Sequence, residues 1–375
     1  MQISEWLINF NAFKKNTDEL VWHNTLESFA LSLISVFIPI FLLEINFSLN
    51  QVFLYYFIYF ISFAFFSFFV HKFLIIGFQK LLLFRPISLI IFFSWLFSLN
   101  FFPGTLNFLA LYGGLVSAFY WVVFHCFYSV KTDDGNSINR VRDLFFIPKV
   151  ATLFSPIIGA VVISHFSFSV LFIIVSIILF LSLFPIKGIK NFELDMDFDL
   201  KYLYSKTFLK FFFGFAVEGA YYAVIFILFP LFVYLNIGKM LDIGFLSFFV
   251  SFAGIISPIL VSKICKANTS VFIKIFSILE GLLFLFVLFI DSIVSVFLIS
   301  FVISIFANFW LVPFASRFYS QIKQRDAKDA LELVTLREII LNVSRAAFFG
   351  LILLFGDFGI VFIINSLSRL LFLFF

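Results

Sequence analysis

Charge is scarce in this chain. Lys, Arg, Asp and Glu make up 12% of its 375 residues, against roughly 25% in a soluble domain. Together with 63% hydrophobic residues and a mean hydropathy of +1.14, that deficit excludes a soluble globular fold. Cysteine is nearly missing. Cys126 and Cys265 fall in different segments, which excludes a disulfide scaffold. There is no HExxH, no Cys-rich cluster and no GxSxG; DDGNS at 133–137 reads as a polar turn, not a phosphate loop. The sequence therefore offers no constellation for an enzyme and calls for no metal or other cofactor. The formal charge of +4 is not gathered into a basic tract, so nucleic acid is excluded as a partner. The N-terminal flank mixes Glu5, Asp18 and Glu19 with Lys14 and Lys15, and no small-residue cleavage site follows the first apolar run. It does not read as a secretory signal.

What the chain has in abundance is long apolar runs. They extend roughly 18–25 residues without alternating, which excludes the strands of a membrane β-barrel. Phenylalanine supplies 67 positions and reads as a lipid-facing substitute for leucine. A spanning helix needs about 20 residues. On that rule helices are predicted at 24–43, 52–70, 80–98, 104–128, 143–164, 167–185, 207–234, 242–262, 270–290, 293–316, 332–355 and 357–375. With the N-terminus inside, Lys239 is the one basic residue in an outside loop. Lys149, Arg345 and Arg369 fall within helices, and the remaining Lys and Arg, Arg85 and Arg337 among them, count with the inside segments. The positive-inside rule thus selects a cytoplasmic-membrane protein with both termini in the cytoplasm.

The spans repeat. Glu27 stands twelve residues before Pro39 in NTLESFALSLISVFIP, and Glu218 twelve before Pro230 in FAVEGAYYAVIFILFP. YWVVFHCFYS (120–129) in helix 4 is echoed by FWLVPFASRFYS (309–320) in helix 10, and RVRDLFF in helix 5 by TLREII in helix 11. Each later element lies six helices after its partner. The fold class is all-α polytopic, with 12 transmembrane helices in two parallel six-helix repeats. Residues 1–186 form one half, 187–206 a cytoplasmic linker, and 207–375 the other half.

A carboxylate within a span costs about 2.5–3.5 kcal/mol at the helix centre, so Glu27 and Glu218 need a reason. One reading is a protonatable coupling site or a partner for a substrate cation; the other is a structural ion pair. The cations expected opposite them are Lys149 on helix 5 and Arg345 on helix 11, giving Glu27–Lys149 and Glu218–Arg345. Glu338, Asn342 and Arg345 share a face at i, i+4 and i+7. Tyr221 and Tyr222 follow Glu218 at i+3 and i+4. In helix 4, Trp121, His125 and Tyr128 fall at i, i+4 and i+7, and His125 is a candidate proton or hydrogen-bond site near neutral pH. Trp121, His125, Glu218, Tyr221, Tyr222, Asn308 and Trp310 are the candidate substrate-cavity residues. Glu280 has no assigned role. Gly113 and Gly114 in YGGLVSAFYW read as close-packing positions.

These features resemble the major facilitator superfamily of secondary transporters. HKFLIIGFQKLLL between helices 2 and 3 keeps Gly77 and Lys80 of that superfamily's Gly–acidic–Gly–basic pattern, with the acidic position absent. SPIIGA (155–160) is similar to the Gly-Pro-x-x-Gly-Gly element of some proton antiporters, and SPILVSKICK to the family's helix-8 exit. The resemblance implies helices 1, 4, 7 and 10 around a central cavity and helices 2, 5, 8 and 11 along the interface between halves. It also implies alternating access by rocking. The expectation is a monomer that moves a small amphipathic organic molecule through the bilayer, with protons as the candidate coupling ion and efflux the favoured direction. A lipid or lipid-linked flippase stays open, as does a non-transporting membrane sensor or assembly factor.

Overall fold

In a computed structural model the described residues are 17–130, 147–189, 191, 205–236, 238–265, 269–323 and 327–374. Several expectations lie outside them: the opening of the fifth helix at 143–146, the polar turn at 133–137, most of the 187–206 linker, and the side chains of Cys126 and Tyr128. Among the described residues eleven helices are long and apolar enough to cross a bilayer. They are α1 (Glu19–Glu44), α2 (Leu49–Ser67), α3 (Phe78–Ser98), α4 (Pro103–His125), α5 (Ile147–His165), α6 (Phe168–Ile186), α7 (Phe208–Asn236), α8 (Met240–Ile264), α9 (Thr269–Phe289), α10 (Ile293–Ile322) and α11 (Lys328–Phe355). A shorter apolar helix, α12 (Phe358–Leu373), closes the chain. No strand occurs among the described residues. The protein is an all-α polytopic membrane protein.

Local chemistry sets the helix ends. Ser48 and Gln51 form a reciprocal capping box at the start of α2, satisfying two otherwise orphaned N–H groups. Ser167 caps α6 by accepting from the Val170 N–H, and Asp357 caps α12 by accepting from the Gly359 and Ile360 N–H groups. Gly77 turns the chain into α3 at φ 104°, a conformation that a side chain would strain.

The repeated prolines have a visible consequence. Proline has no N–H and its ring clashes with the carbonyl four residues back. For Pro39 that carbonyl belongs to Ser35, and α1 tightens into a 3₁₀ turn over Ser35–Phe37. For Pro230 it belongs to Phe226, and α7 widens into a π turn over Val224–Leu228. One sequence device, a proline twelve residues after a glutamate, breaks both helices at matching places and resolves them oppositely.

Packing joins the spans in two groups. α4 packs on α2 and α3, and α6 on α1 and α3; in the second group α7 packs on α11 and α12, and α10 on α8 and α9. α2 against α11 and α5 against α8 are the large contacts between the groups. Hydrocarbon tails are as apolar as leucine, so helices associate in a bilayer through close packing and polar contacts. Gly244 of α8 shows the closeness required: a Cβ there would sit 2.8 Å from both the Ala160 Cβ and the Pro156 carbonyl oxygen of α5. Phenylalanine has two roles, where the sequence implied one. Phe65, Phe108 and Phe180 face outward, while Phe37, Phe93, Phe215, Phe229 and Phe314 are fully buried.

Candidate functional site

A cavity of about 510 Å³ lies between the two groups of helices. It is built around the two proline breaks: Ser35, Val36 and Ile38 of α1 face it, as do Ile225, Phe226, Ile227 and Pro230 of α7. The regular 3.6-residue repeat places Ser28, Ser32 and Ser35 on one face of α1, and all three line the wall. Further hydroxyls come from Tyr55, Tyr56 and Tyr59 of α2, Ser117 of α4, Thr152 of α5, and Ser247 and Ser251 of α8. Leu89, Phe92, Phe93 and Trp121 supply apolar surface, and Arg85 of α3 is the one charged group among the described wall residues. The cavity is thus lined by α1, α2, α3, α4, α5, α7 and α8. α10, expected around it, does not contribute, whereas α3 does.

Of the seven expected cavity residues, Trp121 lines this space and the other six do not. Tyr221 and Trp310 are buried against one another within the second group, rings 6.0 Å apart. Asn308 turns back to donate to the Ser304 carbonyl of its own helix, at 2.7 Å. His125 sits one turn beyond Trp121, stacked on it at 5.5 Å. Its Nδ1 is 2.8 Å from the Tyr319 hydroxyl of α10 and its Nε2 is 3.8 Å from Glu338 of α11. His125 therefore ties α4 to the opposite group at the rim where α1 and α7 begin. At the opposite rim, the Tyr234 hydroxyl of α7 donates to Glu44 of α1 at 3.3 Å. The two groups touch on both sides of the cavity.

The expected ion pairs are replaced by others. Arg85, not Lys149, holds Glu27, with Nε 3.0 Å from Oε1. Lys149 lies on an exposed face of α5. Arg337, not Arg345, holds Glu218, with Nη2 2.7 Å from Oε1. Arg337 also donates Nη1 to Glu338 Oε1 at 2.5 Å, so one guanidinium serves two carboxylates. Arg345 instead donates to Asn342 Oδ1 at 3.0 Å and lies over the rings of Tyr222 and, across the interface, Phe60 of α2. Asn342 is anchored to the Glu338 carbonyl at 2.8 Å. The reason is where the helices begin. α3 starts at Phe78 and α11 at Lys328, so Arg85 and Arg337, counted with the loops from sequence, lie about two turns inside their helices. Both are buried and paired.

A third pair gives Glu280 its role. Arg369 of α12 grips both carboxylate oxygens, Nε on Oε2 and Nη2 on Oε1, the latter at 3.1 Å. The guanidinium also lies 5.8 Å from the Tyr221 ring and 5.6 Å from Trp310. His23 is the residue the sequence least prepared for. It precedes the 24–43 span expected from run length, yet α1 begins at Glu19 and the ring is fully buried. Its Nδ1 is 3.0 Å from the Ser182 carbonyl and its Nε2 is 3.5 Å from Glu27 Oε2. The i, i+4 spacing of His23 and Glu27 is the sequence signal for this contact.

No family model matches the chain. A search of curated proteins also finds no match. Among solved structures, the fold is similar to that of a bacterial homologue of the iron transporter ferroportin in an outward-facing state. The TM-score is 0.67 at 13% identity, over 95% of this chain and 98% of that one. At that identity the likeness establishes the fold alone, an all-helical polytopic bundle.

Proposed function

We propose that the protein is a secondary active transporter of the major facilitator type, which moves a small amphipathic organic molecule by alternating access. The observation that carries this reading is the cavity: about 510 Å³, set between two helix groups, broken into α1 and α7 at paired prolines, and flanked by contacts at each rim. That volume is within the ~300–1,000 Å³ range of small-molecule sites. Hydroxyl groups offer hydrogen bonds to polar edges of a solute, and the aromatic and aliphatic side chains take its apolar body. Residues 1–186 and 207–375 are the rocking units, with the His125–Tyr319 and Tyr234–Glu44 contacts breaking in turn. The inside bias of Lys and Arg supports a cytoplasmic-membrane location with both termini inside, and the apolar lining favours export. Protons are the coupling ion in this reading.

The similarity to an iron-transporter homologue brings in a second reading, a metal-ion cargo. Among the described residues no group of three or more His, Cys, Asp and Glu side chains is placed to hold a metal ion. The described cavity wall presents hydroxyls, rings and a guanidinium, which suit an organic solute better.

A thermal-shift screen of metabolites and amphipathic compounds on the purified protein names the solute class, because a ligand that binds the native state stabilises it. Flux of that compound into or out of proteoliposomes then tests transport. Ser32→Trp fills the cavity and abolishes flux while leaving the protein monodisperse. Unchanged flux in Ser32→Trp overturns the assignment of this cavity as the path.

A further inference from the structure

Four glutamates, Glu27, Glu218, Glu280 and Glu338, are buried in the spans beside arginines, but their surroundings differ. Arg369 satisfies both oxygens of Glu280. Glu218 is held by Arg337. Glu27 gives Oε1 to Arg85, while its Oε2 is buried with no hydrogen-bond partner. Facing that oxygen at 3.5 Å is His23 Nε2, which is also buried without a hydrogen-bond partner.

The tautomer follows from the other side of the ring. His23 Nδ1 is 3.0 Å from the Ser182 carbonyl oxygen of the turn that ends α6. A carbonyl only accepts, so Nδ1 carries the hydrogen, and in the neutral ring Nε2 is a bare lone pair. Two acceptors then confront one another in a buried site. One additional proton satisfies both, either as imidazolium against carboxylate or as neutral ring against carboxylic acid. We propose that His23 and Glu27 form a proton-binding site whose occupancy sets the hold on Arg85 at the cavity wall.

The link to the wall is continuous. Glu27 Oε1 accepts from Arg85 Nε; Arg85 Nη1 donates to Ser117 Oγ at 3.4 Å and to the Val116 carbonyl at 3.3 Å. The Ser117 hydroxyl is 2.6 Å from the Tyr59 hydroxyl. Arg85, Ser117 and Tyr59 all line the cavity. Other described groups also surround the pair. From α4, the Tyr120 ring lies 4.8 Å from the Arg85 guanidinium, and its hydroxyl donates to Asn24 at 3.3 Å. Arg85 itself comes from α3, and α6 contributes the Ser182 carbonyl. On α1, Glu19 is one turn before His23 and lies against Gly188.

The charge balance gives the consequence. Without the extra proton, neutral His23, Glu27 carboxylate and Arg85 guanidinium sum to zero. With it they sum to +1 beside the cavity, and the carboxylate is drawn from Arg85 toward His23. An occupant with an acidic group restores the balance, so proton and acidic occupant strengthen each other's binding, reciprocally. This last step rests on the transport reading; the proton site itself does not.

The test uses the full chain, purified and labelled with ¹⁵N-histidine. The His23 resonances are identified by comparison with single glutamine variants of His71, His125 and His165. The expected result is an Nδ1–H tautomer in the deprotonated state. Proton uptake follows at the His23–Glu27 pair as the pH is lowered, seen in the ring shifts or in a carboxylic-acid infrared band. In Glu27→Gln the amide donates to Nε2 and this uptake disappears; in Glu218→Gln it persists. An Nε2–H tautomer in the wild type overturns the proposal, as does a pair that takes up no proton at any pH where the protein stays folded, or an unaltered titration in Glu27→Gln. The wild-type measurements stand whether or not the variants fold. A protein that titrates at this pair yet moves no solute keeps the site and loses the transport reading; one that transports with the pair silent loses the site alone.

Discussion

Glu280→Gln isolates the cost of an unpaired cation inside the second helix group. Glu280 and Arg369 have side chains 0% and 1% exposed, so neither reaches solvent when its partner is lost. The substitution keeps shape and removes charge. Arg369 then retains a hydrogen bond to the Ser368 hydroxyl at 3.1 Å and its two ring contacts, each contributing about 0.5–2 kcal/mol, but no counter-charge. Breaking a buried pair from one side costs about 3–5 kcal/mol, because the remaining charge is left desolvated. At tenfold per 1.4 kcal/mol, that lowers the folded-to-unfolded ratio between about a hundredfold and a few thousandfold. Replacing both partners with apolar residues of similar volume is often close to neutral, so Glu280→Gln with Arg369→Met should recover most of the loss. The assay is denaturant unfolding in mixed micelles, run as a double-mutant cycle. A Glu280→Gln protein as stable as wild type refutes the reasoning, and so does a double variant whose damage is the sum of the singles.

Arg337 serves both Glu218 and Glu338, so its loss is asymmetric. Arg337→Gln leaves two buried carboxylates near one another, whereas Glu218→Gln leaves Arg337 still bound to Glu338; the first should destabilise by about 1–3 kcal/mol more than the second, read from the same unfolding curves. Tyr319→Phe removes the hydroxyl that joins α10 to His125 of α4. Losing that bond, about 0.5–1.5 kcal/mol, should favour opening at the rim where α1 begins by up to about tenfold. A thiol reagent confined to that side should then label Ser28→Cys faster than in the Tyr319 parent, and an equal rate would count against the contact as a latch.

What could be read before folding and what could not divide along a physical line. Composition and run length determined the class, since about 20 apolar residues per span is a property of the bilayer and not of any neighbour. The Glu27–Pro39 and Glu218–Pro230 spacing exposed the repeat and, through proline's missing N–H, marked the two breaks around which the cavity forms. Helical periodicity also placed Ser28, Ser32 and Ser35 on one face of α1. None of this says which helix a given face meets. Depth within a helix pointed to Lys149 for Glu27 and Arg345 for Glu218, since Arg85 and Arg337 counted with the inside segments, but an arginine side chain is long enough to reach any of several neighbours. Only the packing of α1 beside α3 and α6 chose Arg85 and turned His23 toward the same carboxylate. The packing of α7 on α11 chose Arg337, and that of α9 on α12 paired Glu280 with Arg369. The sequence by itself determined that Glu27 and Glu218 stand inside the membrane, while the starts of α3 and α11 brought Arg85 and Arg337 inside with them. Tertiary contacts decided which opposite charge neutralises each, because a buried charge takes whatever partner the neighbouring helix presents at its own depth.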